Sequence, residues 1–208
     1  MIPFLNIGWQ SLSDYALGER DTDVLSVINN EDLTVFTFDG LKRRLGLHPE
    51  TLSRILARLE QEGLLKKEAN GYKVSPKITK LKLHETRNEE NHVPLLQTYL
   101  PSNMQVQHLI SNLNGKWFGL LRWFGLSENN RGVTMKWVTE DGGIQINAII
   151  ADNTLTIEAK FLRENNLNLA LNASYQLMSH IGKLCSGSRI AATHVGYFGD
   201  GNTFLMPA

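Results

Sequence analysis

The chain is poor in residues that build disulfides or reactive thiol sites. Its 208 residues include a single cysteine, Cys185. An internal disulfide and a cysteine-rich metal site are therefore excluded, and we expect this thiol to be buried and structural rather than redox-active. Residues 1–20 have no cationic start and no long apolar run, so we predict neither a signal peptide nor a membrane span. These absences predict a cytoplasmic protein.

Common catalytic and cofactor-binding motifs are also missing. The sequence has no P-loop, dinucleotide-binding fingerprint or nucleophile elbow. Its six histidines lack the spacing of metal ligands, although an interdomain site built from His84 and His92 is an alternative. The glycine-rich segment 196–202 has one acidic residue, too few for calcium. We predict no catalytic residues, no metal site and no cofactor, and expect that the protein is not an enzyme.

Charge is balanced over the whole chain but not within its parts. The 21 basic and 21 acidic residues give a formal net charge of +0. Residues 40–87, however, contain twelve Lys or Arg against five Glu, a local charge of +7, so the remainder carries −7. A basic segment suits phosphate binding because each neutralised phosphate releases counterions. The alternative is an ordinary solvated face.

Residues 48–62 predict a helix with one apolar and one polar face. His48 is the expected N-cap before Pro49, and Gly63 is the expected C′ residue. Four apolar residues recur at helical spacing and should face a core: Leu52, Ile55, Leu56 and Leu59. The opposite face carries small, hydrogen-bonding and cationic side chains suited to a DNA groove: Glu50, Thr51, Ser53, Arg54, Ala57 and Arg58.

Two helices and a short strand are predicted before this helix. Residues 21–29 have apolar residues at helical spacing, with Asp21 or Thr22 as the expected N-cap. Residues 33–36 predict a strand. A short helix follows and ends in a tight turn that Gly46 permits.

Residues 64–74 predict a two-stranded hairpin after the amphipathic helix. Asn70–Gly71 is the dipeptide that best tolerates positive φ at both central positions of a type I′ turn. Three lysines lie along the hairpin: Lys66, Lys67 and Lys73. Helix, tight turn, helix and hairpin in this order are typical of a winged helix-turn-helix.

The run LARLEQEGLLKK, followed by the short Asn70–Gly71 hairpin, resembles the recognition helix and wing of MarR/ArsR-like and related archaeal winged-helix transcription regulators. The resemblance covers residues 21–75, about a quarter of the chain, and implies a DNA-binding module. The sequence departs from the family at Gly40, where the preceding helix usually has a helix former.

The remainder of the chain predicts a linker and a second domain. Residues 77–101 contain turn-like and proline-punctuated stretches and are assigned to the linker. Residues 102–208 predict a helix over 104–113, strands, and a long amphipathic helix within 167–184. Further strands are expected at 117–126 and 190–198, beside a meander of three alternating strands between Val133 and Phe161.

We therefore predict an α+β fold, with an N-terminal winged helix domain and arm over 1–76 and a C-terminal antiparallel sheet covered by helices. The sheet's other face is expected to be polar, and to be a solvent-exposed surface, a ligand-facing wall or a subunit contact. Its residues are Thr134, Lys136, Gln145, Asn147, Thr156, Glu158 and Lys160.

The resulting hypothesis is a DNA-binding transcription regulator that reads duplex DNA with helix 48–62 and a basic wing over 64–74. Residues near the helix N-terminus should reach base edges, and the remaining cations should contact phosphates or the minor groove. The candidate DNA-binding residues are Lys42, Arg43, Glu50, Thr51, Ser53, Arg54, Arg58, Lys66, Lys67 and Lys73.

The C-terminal domain would make a homodimer or sense a small-molecule ligand, since one winged module contacts only one half-site. Its tryptophans and phenylalanines either line an apolar ligand pocket or fill the core. The alternative function is a protein–protein adaptor in the transcription machinery. Salt discriminates the two, because phosphate contacts weaken steeply as salt rises.

Overall fold

The computed structural model describes residues 15–78, 92–102, 104–130, 132–163, 165–185 and 192–193. Within these residues, helices and strands follow one another through short turns. Five helices are formed there by Glu19–Asn30 (α1), Phe38–Leu45 (α2), Pro49–Gln61 (α3), Val106–Leu113 (α4) and Leu167–Leu184 (α5). The strands in the same residues are Val35–Phe36 (β1), Leu65–Glu68 (β2), Gly71–Val74 (β3), His92–Tyr99 (β4), Leu121–Asn129 (β5), Gly132–Thr139 (β6), Ile144–Ala151 (β7), Thr154–Phe161 (β8) and Ala192–Thr193 (β9).

The described strands form one antiparallel sheet in the order β2-β3-β1-β5-β6-β7-β8-β4-β9. The two-residue strand β1 pairs with β3 on one side and with β5 on the other. Hairpin β2–β3 and the C-terminal strands are therefore joined in one sheet. The prediction of a mixed α+β fold with an antiparallel sheet is confirmed at this level.

One face of the sheet packs against the C-terminal helices. Strands β6, β7 and β8 alternate apolar and polar residues, as the pattern predicted, and their apolar side chains share a core with α4 and α5. Trp137 lies in this core, and its indole packs edge-on against Trp123 with ring centroids 5.1 Å apart. These two tryptophans therefore fill the core.

The other face of the sheet is covered in part by α1, α2 and α3. The four apolar residues of α3 are buried as predicted, in a second core that also includes Phe124 of β5 and Val138 of β6. Helix α2 lies so close to β5 that a Cβ atom on Gly40 would be 2.5 Å from the Cα of Phe124. This close approach explains why glycine stands where a helix former was expected.

Several element boundaries differ from the predictions. Helix α1 begins earlier, with Gly18 as N-cap, and Asp21 accepts a hydrogen bond from the Gly18 backbone N–H at 2.9 Å. In hairpin β2–β3 the register pairs Glu68 with Gly71, so Ala69 and Asn70 form the loop. Positive φ occurs at Gly71 (147°) and not at Asn70. The predicted type I′ turn centred on Asn70 and Gly71 is therefore wrong.

The C-terminal half differs from the predictions at two places. The segment assigned to the linker contains β4, which pairs with β8 along most of its length and with β9 on its other side. The strand expected over 117–126 begins only at Leu121, after a turn at 117–120. Of the strand expected over 190–198, only 192–193 lie within the described residues, as β9.

Candidate nucleic-acid interface

The outward face of α3 is polar and exposed. His48 is the N-cap and Pro49 occupies the first turn, as the sequence predicted. Burial of the apolar stripe turns the opposite side of the helix to solvent, and Ser53, Arg54 and Ala57 are exposed there. Thr51, nearer the N-terminus, is half-buried. The end of α3 expected to meet base edges thus presents short polar side chains, one long cation and the exposed carboxylate of Glu50.

Arg54 is the most accessible cation of α3. Its side chain is 76% exposed, and its closest acidic neighbour is Glu50, one helical turn earlier, at 3.8 Å between Nη2 and Oε2. An exposed pair of this kind in successive turns contributes only about 0.3–0.5 kcal/mol. Arg54 can therefore leave Glu50 at little cost when another anion is offered.

Arg58 joins α3 to α1. Its Nε and Nη2 atoms donate to the two carboxylate oxygens of Asp21 at 3.0 and 2.5 Å. Burial alone would raise the pKa of Asp21, but the hydrogen bonds from Arg58 and from the Gly18 backbone outweigh it and lower that pKa. The same hydrogen bond raises the pKa of Arg58. Arg58 thus fixes the position of α3, a contact that the sequence did not predict.

The cations of α2 have different surroundings. The Nζ atom of Lys42 donates to Asp39 at 2.7 Å, and this hydrogen bond is the main reason that the pKa of Asp39 is lowered. Arg43 is half-buried. Arg44 turns inward, towards the sheet, and donates to Glu31 at 3.1 Å. Lys42 and Arg43 therefore remain partly exposed to solvent, whereas Arg44 is turned towards Glu31.

Hairpin β2–β3 places two lysines side by side. Lys66 and Lys73 are direct partners in the antiparallel register, and both are exposed. Like charges opposite each other in a β-ladder are destabilising. Lys67, on the other face, is exposed too, and its backbone N–H donates to Glu60 of α3 at 3.2 Å. The hairpin is thereby tied to α3 while it presents three exposed lysines and one exposed carboxylate, Glu68.

A groove separates α3 from the hairpin. Its volume is about 440 Å³, and it is lined by residues that include Thr37, Ser53, Lys67 and Tyr72. The Tyr72 ring stacks on Phe36 with centroids 5.5 Å apart, which fixes the hairpin over β1. Burial raises the pKa of Tyr72, with a further contribution from Glu60. The candidate site is therefore an open groove between α3 and the hairpin, and its lining contains one cation, Lys67, and two acidic residues, Asp39 and Glu68.

The polar face of the sheet is largely buried beneath the N-terminal helices. Lys136, Gln145, Asn147 and Lys160 are buried, and the other three members of the predicted polar face are half-buried. Three of them, Lys136, Gln145 and Lys160, contact Glu31, which follows the last residue of α1 and is itself buried. The sequence left three roles open for this face: a solvent-exposed surface, a ligand-facing wall or a subunit contact. Packing against the N-terminal helices of the same chain was not among them.

Glu31 is surrounded by cations. Its carboxylate accepts hydrogen bonds from Lys136 at 3.0 Å, Lys160 at 2.5 Å and Arg44 at 3.1 Å. The Gln145 side chain also donates to it at 2.8 Å. Burial alone would raise the pKa of Glu31, but the three cations outweigh burial and hold that pKa well below its usual range. We call these five residues the Glu31 cluster.

A chain of hydrogen bonds extends from the Glu31 cluster towards the surface. Gln145 donates to Asn147 at 2.9 Å, and Asn147 donates to Glu158 at 2.9 Å. Glu158 also lies 2.7 Å from Nδ1 of the exposed His92. Burial would raise the pKa of Glu158, but the hydrogen bonds from His92 and Asn147 lower it. The four buried polar residues of this face, Lys136, Gln145, Asn147 and Lys160, thus each have a specific partner.

Two observations concern other kinds of site. Among the described residues, no group of three or more His, Cys, Asp and Glu side chains could hold a metal ion, and His84 lies outside those residues. No helix in the described part of the chain is both long enough and apolar enough to span a membrane.

Comparison with known proteins adds no relative. No protein-family model matches the chain, and no curated protein shows significant similarity to it. The geometry of α3 and of the hairpin is therefore the basis for a functional argument.

Proposed function

We propose that the protein is a cytoplasmic transcription regulator with an N-terminal winged helix, which binds duplex DNA through α3 and hairpin β2–β3. Its C-terminal part would make a homodimer or bind a small-molecule ligand. The observation that carries this proposal is the cross-strand pair of exposed lysines, Lys66 and Lys73, in the hairpin that follows α3, whose exposed face carries Arg54. Two adjacent cations that weaken the free hairpin would be stabilised by a phosphate.

The residues of α3 suit base contacts. Arginine can donate two parallel hydrogen bonds to a guanine, and short hydroxyl side chains can contact several bases. Arg54 and Ser53 provide these groups on the exposed face, and Thr51 adds a half-buried hydroxyl. In this proposal α3 lies in the major groove, and the lysines of β2 and β3 contact the backbone or minor groove. Arg58 contributes by holding α3 against α1.

The surface of the N-terminal elements argues against a protein–protein adaptor. Adaptor surfaces are rich in aromatic and other large apolar anchors. In residues 15–78, no large apolar side chain is exposed, and the exposed ones found elsewhere in the described chain are Tyr99, Trp117, Leu120 and Tyr175. The face of α3 therefore has the composition of a nucleic-acid contact rather than of a protein contact.

The test is binding to labelled duplex DNA from a randomised pool, measured by fluorescence anisotropy at several salt concentrations. The variants are Arg54→Ala and the double variant Lys66→Ala/Lys73→Ala. A matched control is Lys116→Ala/Lys183→Ala, which removes two exposed lysines outside the proposed interface. Circular dichroism checks that every variant is folded.

We expect binding by the wild type to weaken steeply with salt. The hairpin variant should weaken binding to all sequences and flatten the slope of log K against log salt by about 2, since about 0.9 counterions are released per phosphate. Arg54→Ala should cost about 1–3 kcal/mol on the preferred sequence and relax the choice of base. A folded wild type that shows no DNA binding at low salt would favour the adaptor instead.

A further inference from the structure

A carboxylate lies on the exposed face of α3 that the proposed function places in the major groove. Glu50 belongs to the first turn of α3, and its side chain is 75% exposed. Beyond it along the helix, the exposed side chains of Ser53, Arg54 and Ala57 carry no negative charge. Because DNA phosphates repel a carboxylate, Glu50 opposes binding that uses the phosphates alone. A favourable role for Glu50 in a complex with DNA therefore requires a hydrogen-bond donor on a base.

Glu50 and Arg54 form a pair of opposite charge on this face. The Oε2 atom of Glu50 and the Nη2 atom of Arg54 are 3.8 Å apart, too far for a hydrogen bond. The two residues are about 6 Å apart along the helix axis, from the rise of an α-helix, so their side chains converge. Neighbouring base pairs are stacked about 3.4 Å apart. The spacing of the two charged groups therefore suits contacts with two neighbouring base pairs.

A carboxylate selects cytosine among the four bases in the major groove. An ionised glutamate only accepts hydrogen bonds, and cytosine presents its N4 amino group there as a donor with no acceptor of its own beside it. Guanine presents two acceptors, thymine presents one, and adenine has an acceptor next to its amino group. Each of these acceptors repels the carboxylate. Arg54 has the opposite chemistry, since its guanidinium donates to the two acceptors of guanine.

Glu50 also stabilises α3 itself. A carboxylate in the first turn of a helix interacts favourably with the helix dipole, and a glutamate placed four residues before a basic residue has the better orientation for such a pair. Both effects depend on the charge of residue 50 and are the same on every DNA sequence. A structural role alone therefore changes the stability of α3, whereas a reading role changes the base that is selected.

We propose that Glu50 is a specificity-determining residue, which accepts a hydrogen bond from N4 of a cytosine while Arg54 donates to a guanine in the neighbouring base pair. The preferred DNA site then contains two neighbouring G·C pairs. This inference rests on the proposed function, because it requires α3 to lie in the major groove. Glu50 gives selectivity at the cost of affinity, since on any other sequence its carboxylate meets acceptors and phosphates.

The experiment is selection of duplexes from a randomised pool by the full chain, followed by sequencing of the bound fraction. It compares the wild type with Glu50→Gln, which keeps the size of the side chain but prefers adenine, because glutamine can both donate to N7 and accept from N6. The matched control is Glu68→Gln, which removes another exposed carboxylate, from the hairpin. Circular dichroism and thermal melting check that every variant is folded.

We expect the wild type to enrich two neighbouring G·C pairs. Glu50→Gln should replace cytosine by adenine at one of the two positions, with a change of at least about 5-fold in relative affinity, and keep the guanine contacted by Arg54. It should also bind unrelated duplexes more tightly, because a repulsion of phosphates is removed. Arg54→Ala should lose the guanine preference and keep the cytosine. Glu68→Gln should select the same bases as the wild type.

Failure of this inference is distinguishable from failure of the proposed function. A wild type that binds duplex DNA without enriching two neighbouring G·C pairs would overturn the role of Glu50 and keep the DNA interface. A folded Glu50→Gln variant that selects the same bases as the wild type would do the same, and would leave Glu50 with its structural role only. A folded wild type that binds no duplex at low salt would reject the proposed function, and with it the reading role of Glu50.

Discussion

Replacing Glu31 by glutamine tests whether the N-terminal helices are held on the sheet by charge. The substitution keeps the size of the side chain but removes the carboxylate that accepts hydrogen bonds from Lys136, Lys160 and Arg44. The three cations then lie close together without the negative charge of residue 31 to balance them. Because both lysines are buried, water cannot replace the lost partner without opening the contact.

The expected cost follows from the burial of the lysines. Removing one member of a buried ion pair typically destabilises a protein by about 3–5 kcal/mol, since the remaining charge is left uncompensated. With a urea m-value of about 2–3 kcal/mol per M, the midpoint should fall by about 1–2.5 M. The matched control is Glu50→Gln, which makes the same change at a side chain that is 75% exposed. Its effect should stay within about 0.5 kcal/mol.

The effect should also depend on pH. The pKa of Glu31 is lowered in the folded state, so its carboxylate stabilises the fold above its unfolded pKa, near the reference value of 4.5. That contribution is lost as pH falls below about 4.5 towards the folded pKa. The difference in unfolding free energy between wild type and Glu31→Gln should therefore shrink on acidification.

A second variant keeps the test decisive if Glu31→Gln folds poorly. Lys160→Met removes one of the buried cations, so it should restore stability when it is combined with Glu31→Gln. Urea unfolding of both single variants and of the double variant gives the coupling energy. The reasoning is refuted if Glu31→Gln costs less than about 1 kcal/mol, or if Lys160→Met destabilises the Glu31→Gln protein further.

Two further predictions concern packing and thiol reactivity. Gly40→Ala should destabilise the protein by about 1–3 kcal/mol because its Cβ would lie 2.5 Å from the Cα of Phe124. The control Gly182→Ala in α5, with no atom within 4 Å of its Cβ, should be neutral or stabilise by up to about 1 kcal/mol. Equal effects of the two substitutions in urea unfolding would contradict the close packing of α2. Burial raises the pKa of Cys185, so a disulfide reagent at pH 8 should modify it at least about 10-fold more slowly than in the urea-unfolded chain; equal rates would mean that the thiol is accessible.

Local patterns were sufficient to predict much of the fold. The apolar stripe of α3, the proline in its first turn, and the alternation along β6, β7 and β8 depend on neighbours within a few residues. The turn at Asp152–Asn153 was also predictable, and both residues have positive φ, 46° and 62°. These features are encoded by side-chain spacing and by residues suited to one backbone conformation.

The positions of β4 and of the first strand of the C-terminal part depended on distant contacts. β4 contains Pro94, and its register with β8 shifts between Pro94 and Leu96. Proline lacks an N–H and is tolerated in a sheet at an edge or a bulge, so this segment looked like a linker. Within 117–126, Trp117 and Leu120 face outward while Phe118 is buried. An apolar run alone could not distinguish this turn from a strand.

The candidate DNA-facing residues were predictable from the polar face of one helix, but the partners of the cations were not. Arg58 of α3 contacts Asp21 of α1, and Arg44 of α2 contacts Glu31 at the end of α1. The contact between Lys160 and Glu31 spans 129 positions. A signal was available in Lys136 of β6 and Lys160 of β8, which lie on one face of the two strands that flank β7 and would require an anion if that face were covered.

The packing of the N-terminal elements on the sheet constrains how the proposed regulator could work. β1 pairs with both β3 and β5, Gly40 allows α2 to lie on β5, and the Glu31 cluster joins α1 and α2 to three strands. A hinge between α1 or α2 and the sheet would have to break these buried ion pairs, at several kcal/mol, and Arg58 holds α3 against α1. In the proposed homodimer, the distance between the two α3 helices would therefore be set by the contact between the two C-terminal parts. The dimer contact would then determine the spacing of the half-sites, and α3 would determine which bases are read within each half-site.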